Sequence, residues 1–239
     1  MYKITPNWQQ PSTVIALTTT NRCGYSKTPY ASNNLALHVG DIAADVQANR
    51  VQLQQSLHLP CEPRWLNQTH SNQCVAVDKD SNQLADAAIT QQKNCPLVVM
   101  TADCLPIVIC NITGTEIAVI HAGWRGLLAG IIENTLLKMQ SQPTKLLAWI
   151  GPAICQKCYE IKTDIYEAFH QRYPSTSSTF LHKNMRIFAD LANIAALILQ
   201  TCGVQQIWQS GLCTFENNHF YSYRRQSTTG RIATLIWLQ

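Results

Sequence analysis

Residues 101–110 read Thr-Ala-Asp-Cys-Leu-Pro-Ile-Val-Ile-Cys and residues 117–126 read Ile-Ala-Val-Ile-His-Ala-Gly-Trp-Arg-Gly. The β-branched runs 107–110 and 117–120 flank a Thr-Gly turn signal, which predicts two neighbouring buried strands. Asp103 and Cys104 precede the first run, and His121 closes the second before a glycine-rich turn into a helix. Such a turn gathers an imidazole, a guanidinium and free backbone N–H groups. The pattern therefore predicts a functional site at these strand ends.

Composition favours a globular protein of a reducing compartment. The chain has 239 residues, of which 46% are hydrophobic, and this is enough to build a core without cross-links. Its net charge of +4 is spread out, with no basic stripe for nucleic acid. Its ten cysteines form no disulfide framework, and its first residues lack the apolar core of a signal peptide. We expect a cytoplasmic protein that crosses no membrane, and the sequence identifies no partner protein.

Strands and helices alternate irregularly along the chain. Strands are predicted at 14–19, 74–77, 87–90, 96–100, 146–150, 206–208, 220–223 and 232–237. Helices are predicted at 42–58, capped by Asp41, and at 127–139, 163–172 and 190–202, the last between an Asp190 cap and Gly203. The irregular polar segment 20–40 is expected to be a functional or covering loop. These elements predict one α/β or α+β domain over residues 1–239.

His70, Cys104 and His121 are a candidate metal-binding set. Two histidines and a cysteine suit zinc, and three protein ligands with one open position are typical of a catalytic zinc site. Copper is the chemical alternative, because it also accepts imidazole and thiolate. The spacing matches no zinc finger. The competing interpretation is that Cys104 is a small buried hydrophobe and the histidines are satisfied polar residues.

Other residue groups leave further alternatives open. Cys104 could be a nucleophile activated by His121 or His70 and oriented by Asp103, but adjacent strand residues point to opposite faces. Cys155-Gln-Lys-Cys158 has the spacing of a redox motif or half a metal site, yet no second pair accompanies it, which favours loop cysteines. The arginines at 224–225 are compatible with phosphate binding or with a structural role.

Three segments resemble the signatures of the YfiH-like family: Asn-Gln-Thr-His-Ser at 67–71, Thr-Ala-Asp-Cys-Leu-Pro at 101–106 and His-Ala-Gly-Trp-Arg-Gly at 121–126. That family has been called multicopper polyphenol oxidase or laccase-like, and is now described as purine nucleoside phosphorylases. The resemblance extends over residues 32–41, 49–50, 151–152, 159–160, 222–225 and 229–231, and so nearly the whole chain. Residues 21–26 depart from it, because relatives more often carry paired glycines there.

The resemblance implies a mixed-sheet sandwich with flanking helices and a zinc ion on the catalytic residues His70, Cys104 and His121. It implies that adenosine, inosine, guanosine and S-methyl-5'-thioadenosine react with phosphate to give free base and ribose 1-phosphate. Adenosine deamination is implied as an additional activity, for which an open zinc site could activate water. The expected binding partners are therefore a purine nucleoside and phosphate.

Arginines are the expected phosphate contacts. Arg50 matches an arginine that the family places near the substrate, and Arg125 and the helix N-terminus after Gly126 are further candidates. Arg125 could instead pair with a carboxylate at the helix terminus. Asp103 is expected to orient a liganding imidazole, and Trp124 to pack or to stack on a purine.

Two other functions remain as alternatives. A copper-dependent polyphenol oxidase (laccase-like) is one, although seven histidines are too few for a multicopper set. A peptidoglycan-precursor editing factor is the other, and it rests on the family's reported link to peptidoglycan fidelity.

Overall fold

A computed structural model describes residues 2–239 of the chain. The strands of this part are β1 (Lys3–Ile4), β2 (Val14–Thr19), β3 (Arg64–Trp65), β4 (Cys74–Ala76), β5 (Ala87–Thr90), β6 (Leu97–Thr101), β7 (Leu105–Asn111), β8 (Ile117–Ala122), β9 (Leu146–Ile150), β10 (Glu160–Ile161), β11 (Phe180–Lys183), β12 (Arg186–Ala189), β13 (Gln206–Gln209) and β14 (Ile232–Leu238). The α-helices are α1 (Ala43–Leu57), α2 (Trp124–Ala129), α3 (Ile131–Lys138), α4 (Thr163–Arg172) and α5 (Leu191–Thr201), and short 3-10 helices lie at Pro143–Lys145, Gln156–Cys158 and Pro174–Thr179.

The strands form three sheets. One has the order β1-β2-β14-β6-β3, a second the order β13-β9-β7-β8-β5-β4, and a small third sheet the order β10-β12-β11. Each of the two large sheets combines antiparallel and parallel pairs; β7, for example, is antiparallel to β8, whereas β13 is parallel to β9. The predicted pair of buried neighbouring strands, β7 and β8, lies at the centre of the six-stranded sheet.

Side-chain alternation along the central strands builds the layers. Val108, Val119 and Trp149 face a core shared with the five-stranded sheet, while the intervening residues face a core shared with α3 and α5. Helix α1 covers the other face of the five-stranded sheet, where its Leu53 is fully buried. The expected mixed-sheet sandwich with flanking helices is therefore confirmed.

Two of the predicted helices differ from the prediction. Gly130, with φ of +88°, divides the predicted helix 127–139 into α2 and α3, because this left-handed conformation interrupts a helix. Asp41 does not cap α1; its carboxylate accepts from Nδ2 of Asn34 at 2.9 Å. Helix α4 matches its prediction, and Asp190 caps α5 by accepting from the N–H of Asn193 at 3.0 Å.

The predicted strand at 220–223 is wrong, because this segment is a loop tied to other loops. The hydroxyl of Tyr221 donates to the carbonyl of Tyr30 at 2.6 Å, and Arg225 donates to the carbonyl of Phe220 at 2.6 Å. Sequence analysis also missed the three-stranded sheet, whose strands have two to four residues each. Apolar periodicity carries little signal over so short a length.

The segment 20–40 forms the expected loop, with no helix or strand between β2 and α1. Asn49 of α1 holds it: Nδ2 donates to Oγ of Ser26 at 2.9 Å, and Oδ1 accepts from the N–H of Tyr25 at 2.7 Å. A Cβ atom on Gly24 would lie 2.3 Å from the carbonyl oxygen of Ser32, so this close approach requires glycine. Over residues 2–239, no helix combines the length and the apolar character needed to cross a membrane.

Candidate metal centre and substrate cavity

Cys104 and His121 lie at the same end of the β7–β8 pair. Cys104 comes directly before β7, whose first residue, Leu105, lies opposite Ala122. His121 is two residues after Val119, so it shares the face of β8 that packs between the two large sheets. The site therefore forms where the core between these sheets reaches the strand ends.

His70, Cys104 and His121 come together as the sequence predicts. Each residue offers one ligand atom, and the three atoms lie within 4.8 Å of one another. Sγ of Cys104 is 3.8 Å from Nε2 of His70, and the two imidazole rings meet edge to face with centroids 4.8 Å apart. Donor atoms around a tetrahedral zinc ion are separated by roughly 3.3–3.8 Å, so the separation between Sγ of Cys104 and Nε2 of His70 matches such an ion. His70 is exposed and His121 buried, which leaves the cluster open on one side.

Asp86 is a site residue that sequence analysis missed. Its Oδ1 lies 2.7 Å from Nδ1 of His121 and accepts from the backbone N–H of His70 at 3.0 Å. Its Oδ2 accepts from the N–H of Thr69 at 3.1 Å and from the N–H and hydroxyl of Ser71, both at 2.7 Å. A carboxylate can only accept, so Nδ1 of His121 carries the proton and Nε2 is free to bind a metal.

Asp103 does not orient an imidazole, which corrects the prediction. Its carboxylate accepts from the hydroxyl of Thr214 at 2.6 Å, the hydroxyl of Ser222 at 3.0 Å and the N–H of Arg224 at 2.7 Å. Asp103 thus anchors the loop after β13 beside the cavity. The carboxylate that orients an imidazole of the cluster is Asp86, which bonds to His121.

The charges of the cluster favour a thiolate. Burial would raise the pKa of Cys104, but hydrogen bonds and charges from His121 and His70 outweigh burial and lower it. Burial also opposes the ionisation of Asp86, yet hydrogen bonds from His121 and Ser71 lower its pKa to about 2. Burial would lower the pKa of His121, but hydrogen bonds and charges from Asp86 and Cys104 raise it to about 9. A thiolate and a neutral imidazole are the forms that bind a metal ion, so binding would displace a proton from Nε2 of His121. The same thiolate is what a nucleophilic cysteine needs, so geometry alone leaves that alternative open.

Gly123 lets the start of α2 approach the cluster. A Cβ atom at this position would lie 3.0 Å from Sγ of Cys104 and 3.0 Å from Cδ2 of His70. The φ of −79° is ordinary for any residue, so lack of space is the constraint here.

A cavity of about 540 Å³ opens over the cluster. Aromatic and basic side chains dominate the rest of its lining: Trp124, Tyr159, Tyr223, Arg125, Arg224 and Arg231. Three arginines therefore stand against one carboxylate in this lining, that of Asp103. The cavity therefore carries an excess of positive charge, which attracts anions.

The structure brings Arg125 to the cavity, whereas Arg50 is not part of the lining. Helix α2 begins at Trp124, three residues before the predicted start, so Arg125 lies in its first turn with Cζ 4.3 Å from the Trp124 ring. Nε of Arg50 donates to the carbonyl of Leu35 at 3.0 Å, and its Cζ lies 3.8 Å from the ring centroid of Trp65. A substrate role for Arg50 stays a prediction.

The paired arginines at 224–225 have different positions. Arg224 lines the cavity and donates to the carbonyl of Glu160 at 3.1 Å. Arg225 donates to the carbonyls of Thr214 at 2.8 Å and Phe215 at 2.7 Å. Of the two interpretations of the arginine pair, Arg225 therefore fits the structural role. Arg231, in the family-like segment 229–231, also lines the cavity, a position that sequence analysis did not predict.

Sequence comparison finds similarity over almost the whole chain. The family model described as multi-copper polyphenol oxidoreductase laccase matches residues 15–239. The purine nucleoside phosphorylase YfiH of Escherichia coli is 40% identical over 238 residues, which are 98% of each chain. A purine nucleoside phosphorylase of Haemophilus influenzae is 39% identical over 244 aligned positions that cover both chains completely.

Solved structures share the fold. The crystal structure of Neisseria meningitidis protein NMB0706 has a TM-score of 0.95 at 38% identity and covers all of both chains. The crystal structure of YlmD from Geobacillus stearothermophilus has a TM-score of 0.89 at 27% identity and covers 97% of this chain and 98% of that one.

Proposed function

This chain belongs to the YfiH-like family, whose model is described as multi-copper polyphenol oxidoreductase laccase, and on that premise we propose that it is a purine nucleoside phosphorylase. Its substrates are adenosine, inosine, guanosine and S-methyl-5'-thioadenosine, and its products are the free base and the ribose 1-phosphate. Adenosine deamination is an additional activity. The observation that carries this proposal is a cavity in which arginines and aromatic rings surround the His70, Cys104 and His121 cluster.

Phosphate binding rests on the arginines of the wall. Arg125, Arg224 and Arg231 face one cavity, and guanidinium groups bind phosphate through paired charge-assisted hydrogen bonds. We also assign Arg50 to substrate binding, because it matches an arginine that the family places near the substrate. Its charge reaches the lining residue His38, whose pKa is lowered by burial and then by the charges of Arg231 and Arg50.

Nucleoside binding rests on flat aromatic rings. Trp124, Tyr159 and Tyr223 offer π-faces on which a purine can stack.

His70, Cys104 and His121 would hold a metal ion, zinc in our proposal and copper as the alternative. Their softness and separation fit zinc, and Asp86 fixes the proton of His121 on the nitrogen that faces away from the cluster. When bound, zinc supplies Lewis acidity that activates water, the chemistry that purine deamination requires. The protein's own contribution is to keep Cys104 deprotonated and the imidazole of His121 oriented.

Oxidation of phenols at copper is the second candidate, because the family model's description names it. Multicopper oxidases need several copper centres rich in histidine. Among residues 2–239, the clusters with metal-binding geometry contain only the histidines His70 and His121. This ligand set ranks the oxidase below the phosphorylase.

The test is product chromatography with protein of known metal content. Inosine and adenosine are incubated with and without phosphate, using the wild type, Cys104→Ala and the exposed-cysteine control Cys61→Ala. Phosphate-dependent release of hypoxanthine and adenine, lost in Cys104→Ala and kept in Cys61→Ala, supports the proposal. Survival of both nucleosides contradicts it, and oxygen uptake by copper-loaded protein with a phenol would then favour the oxidase.

A further inference from the structure

A second cluster of potential metal ligands lies outside the cavity. Ligand atoms of Cys155, Cys158, Cys213 and Glu216 lie within 4.8 Å of one another. None of these residues lines the cavity of the proposed reaction. In the sequence they form two half-sites with the same spacing, Cys-Gln-Lys-Cys at 155–158 and Cys-Thr-Phe-Glu at 213–216. The second half-site escapes a search for cysteine pairs because its last ligand is a carboxylate.

Backbone pairing joins the two half-sites. Ala153 and Cys213 form an isolated parallel bridge, and the N–H of Thr214 donates to the carbonyl of Ala153 at 3.0 Å. The 3-10 turn at Gln156–Cys158 closes through the N–H of Cys158, which donates to the carbonyl of Cys155 at 3.0 Å. A tight turn of this kind brings two cysteines separated by two residues to one side, as metal-binding half-sites do.

The sulfur atoms lie close enough together to share one cation. All three cysteines are free, and the backbone N–H of Cys155 donates to Sγ of Cys213 at 3.4 Å, a contact that favours a thiolate. Sγ of Cys155 lies 3.9 Å from Oε2 of Glu216. With zinc–sulfur bonds of about 2.3 Å, donors at the corners of a tetrahedron are roughly 3.5–3.8 Å apart.

We propose that Cys155, Cys158, Cys213 and Glu216 bind one structural zinc ion, separate from the metal of the cavity. Three thiolates and one carboxylate complete a four-coordinate sphere and leave no open position, which is typical of a structural rather than a catalytic site. Nζ of Lys157 lies 2.8 Å from Oε1 of Glu216 and offsets part of the negative charge that this ligand set leaves.

The zinc ion would fasten two loops that build the cavity wall. Tyr159 follows Cys158 directly and lines the cavity. Thr214 follows Cys213 and donates to Asp103, the neighbour of Cys104, at 2.6 Å. Occupation of the cysteine-rich site therefore holds both half-sites, and with them this side of the substrate cavity, in place.

Zinc content per chain is the first measurement. Wild type, Cys158→Ser, Cys213→Ser and the matched control Cys61→Ser are purified under reducing conditions with zinc, dialysed and assayed for metal. Cys61 is exposed and far from the cluster in sequence. We expect the two cluster variants to hold one zinc fewer per chain than the wild type and Cys61→Ser. Equal zinc in all four proteins would overturn the proposal.

Thiol protection in the wild type keeps the test decisive if a variant fails to fold. Alkylation followed by peptide mapping should find residues 155, 158 and 213 unreactive until a chelator is added, and Cys61 reactive throughout. Equal alkylation before and after chelation, or a disulfide within the cluster of the purified protein, contradicts the site. Repeating the mapping in Cys104→Ala separates this result from the cavity, and neither measurement depends on nucleoside turnover.

Discussion

The carboxylate of Asp86 lies 2.7 Å from Nδ1 of His121, and both side chains are almost completely buried. The same carboxylate accepts from the backbone N–H of His70. One acidic residue therefore positions two of the three potential metal ligands.

Replacing Asp86 with Asn should weaken metal binding about 10- to 100-fold, the usual cost of losing a carboxylate behind a liganding histidine. The amide keeps the size of the side chain, but its NH2 group would face N–H donors that now meet a carboxylate. Competition with a chromophoric chelator measures the affinity. Asp80→Asn is the control, because Asp80 is exposed and accepts from the N–H of Asn82. Equal affinities in the two variants would refute the role of Asp86.

Gly123→Ala should lower metal affinity while the fold is kept. Its Cβ would lie 3.0 Å from Sγ of Cys104, so the sulfur or the helix must shift. Gly126→Ala is the control in the same helix, since its nearest contact is the carbonyl of Ser71 at 3.3 Å. Metal titration with circular dichroism checks both variants, and unchanged affinity in Gly123→Ala would show that the cluster tolerates the added methyl group.

Arg125→Gln should raise KM for phosphate about tenfold or more, since a hydrogen bond to a charged group contributes roughly 1.5–3 kcal/mol. KM for inosine should change much less, because the guanidinium is proposed to contact phosphate. Arg186→Gln, on the small three-stranded sheet, is the control. Steady-state kinetics with each substrate varied in turn measures the effect. A rise confined to KM for inosine would assign Arg125 to the nucleoside instead.

Arg50→Gln tests whether Arg50 contacts substrate or only packs against Trp65 and Leu35. The stack on Trp65 and the bond to Leu35 predict a loss of stability of about 1 kcal/mol, measured by thermal or urea unfolding. As a proposed substrate contact, Arg50 should also raise KM for phosphate about tenfold when it is replaced, the scale of a lost hydrogen bond to a charged group. A KM that stays within about twofold would leave packing as the role of Arg50.

Asn49→Ala should destabilise the protein by about 3 kcal/mol, because it leaves buried polar groups of the loop 20–40 unpaired. Asn49 is fully buried and bonds Tyr25, Ser26 and the carbonyl of Asn34. Gln55→Ala, exposed on the same helix, is the control. Urea unfolding measures both variants, and similar midpoints would mean that the loop does not depend on Asn49.

Short-range sequence patterns correctly predicted several strands and helices of this fold. The β-branched runs around Val108 and Val119 identified β7 and β8, and the cap at Asp190 identified α5. His70, Cys104 and His121 were recognised together because their residue types share one chemistry. Their catalytic roles, and a single domain over residues 1–239, stay predictions.

Short-range patterns could not predict contacts between residues that are far apart in the chain. Asp86 lies 35 residues before His121, and nothing in its neighbourhood distinguishes it from any acidic residue next to a strand. Cys155 and Cys213 are 58 residues apart, and only the folded loops bring them together. The break at Gly130 depends on a backbone conformation that helical periodicity does not reveal.

The register of β7 and β8 makes metal uptake a reporter of correct folding. A slip of one residue in this pairing would move His121 to the opposite face of the sheet relative to β7, away from Cys104 at the start of that strand. The third donor, His70, is held near them by the bond from its backbone N–H to Asp86. During refolding, metal binding by all three residues therefore requires that the two central strands have found their native alignment.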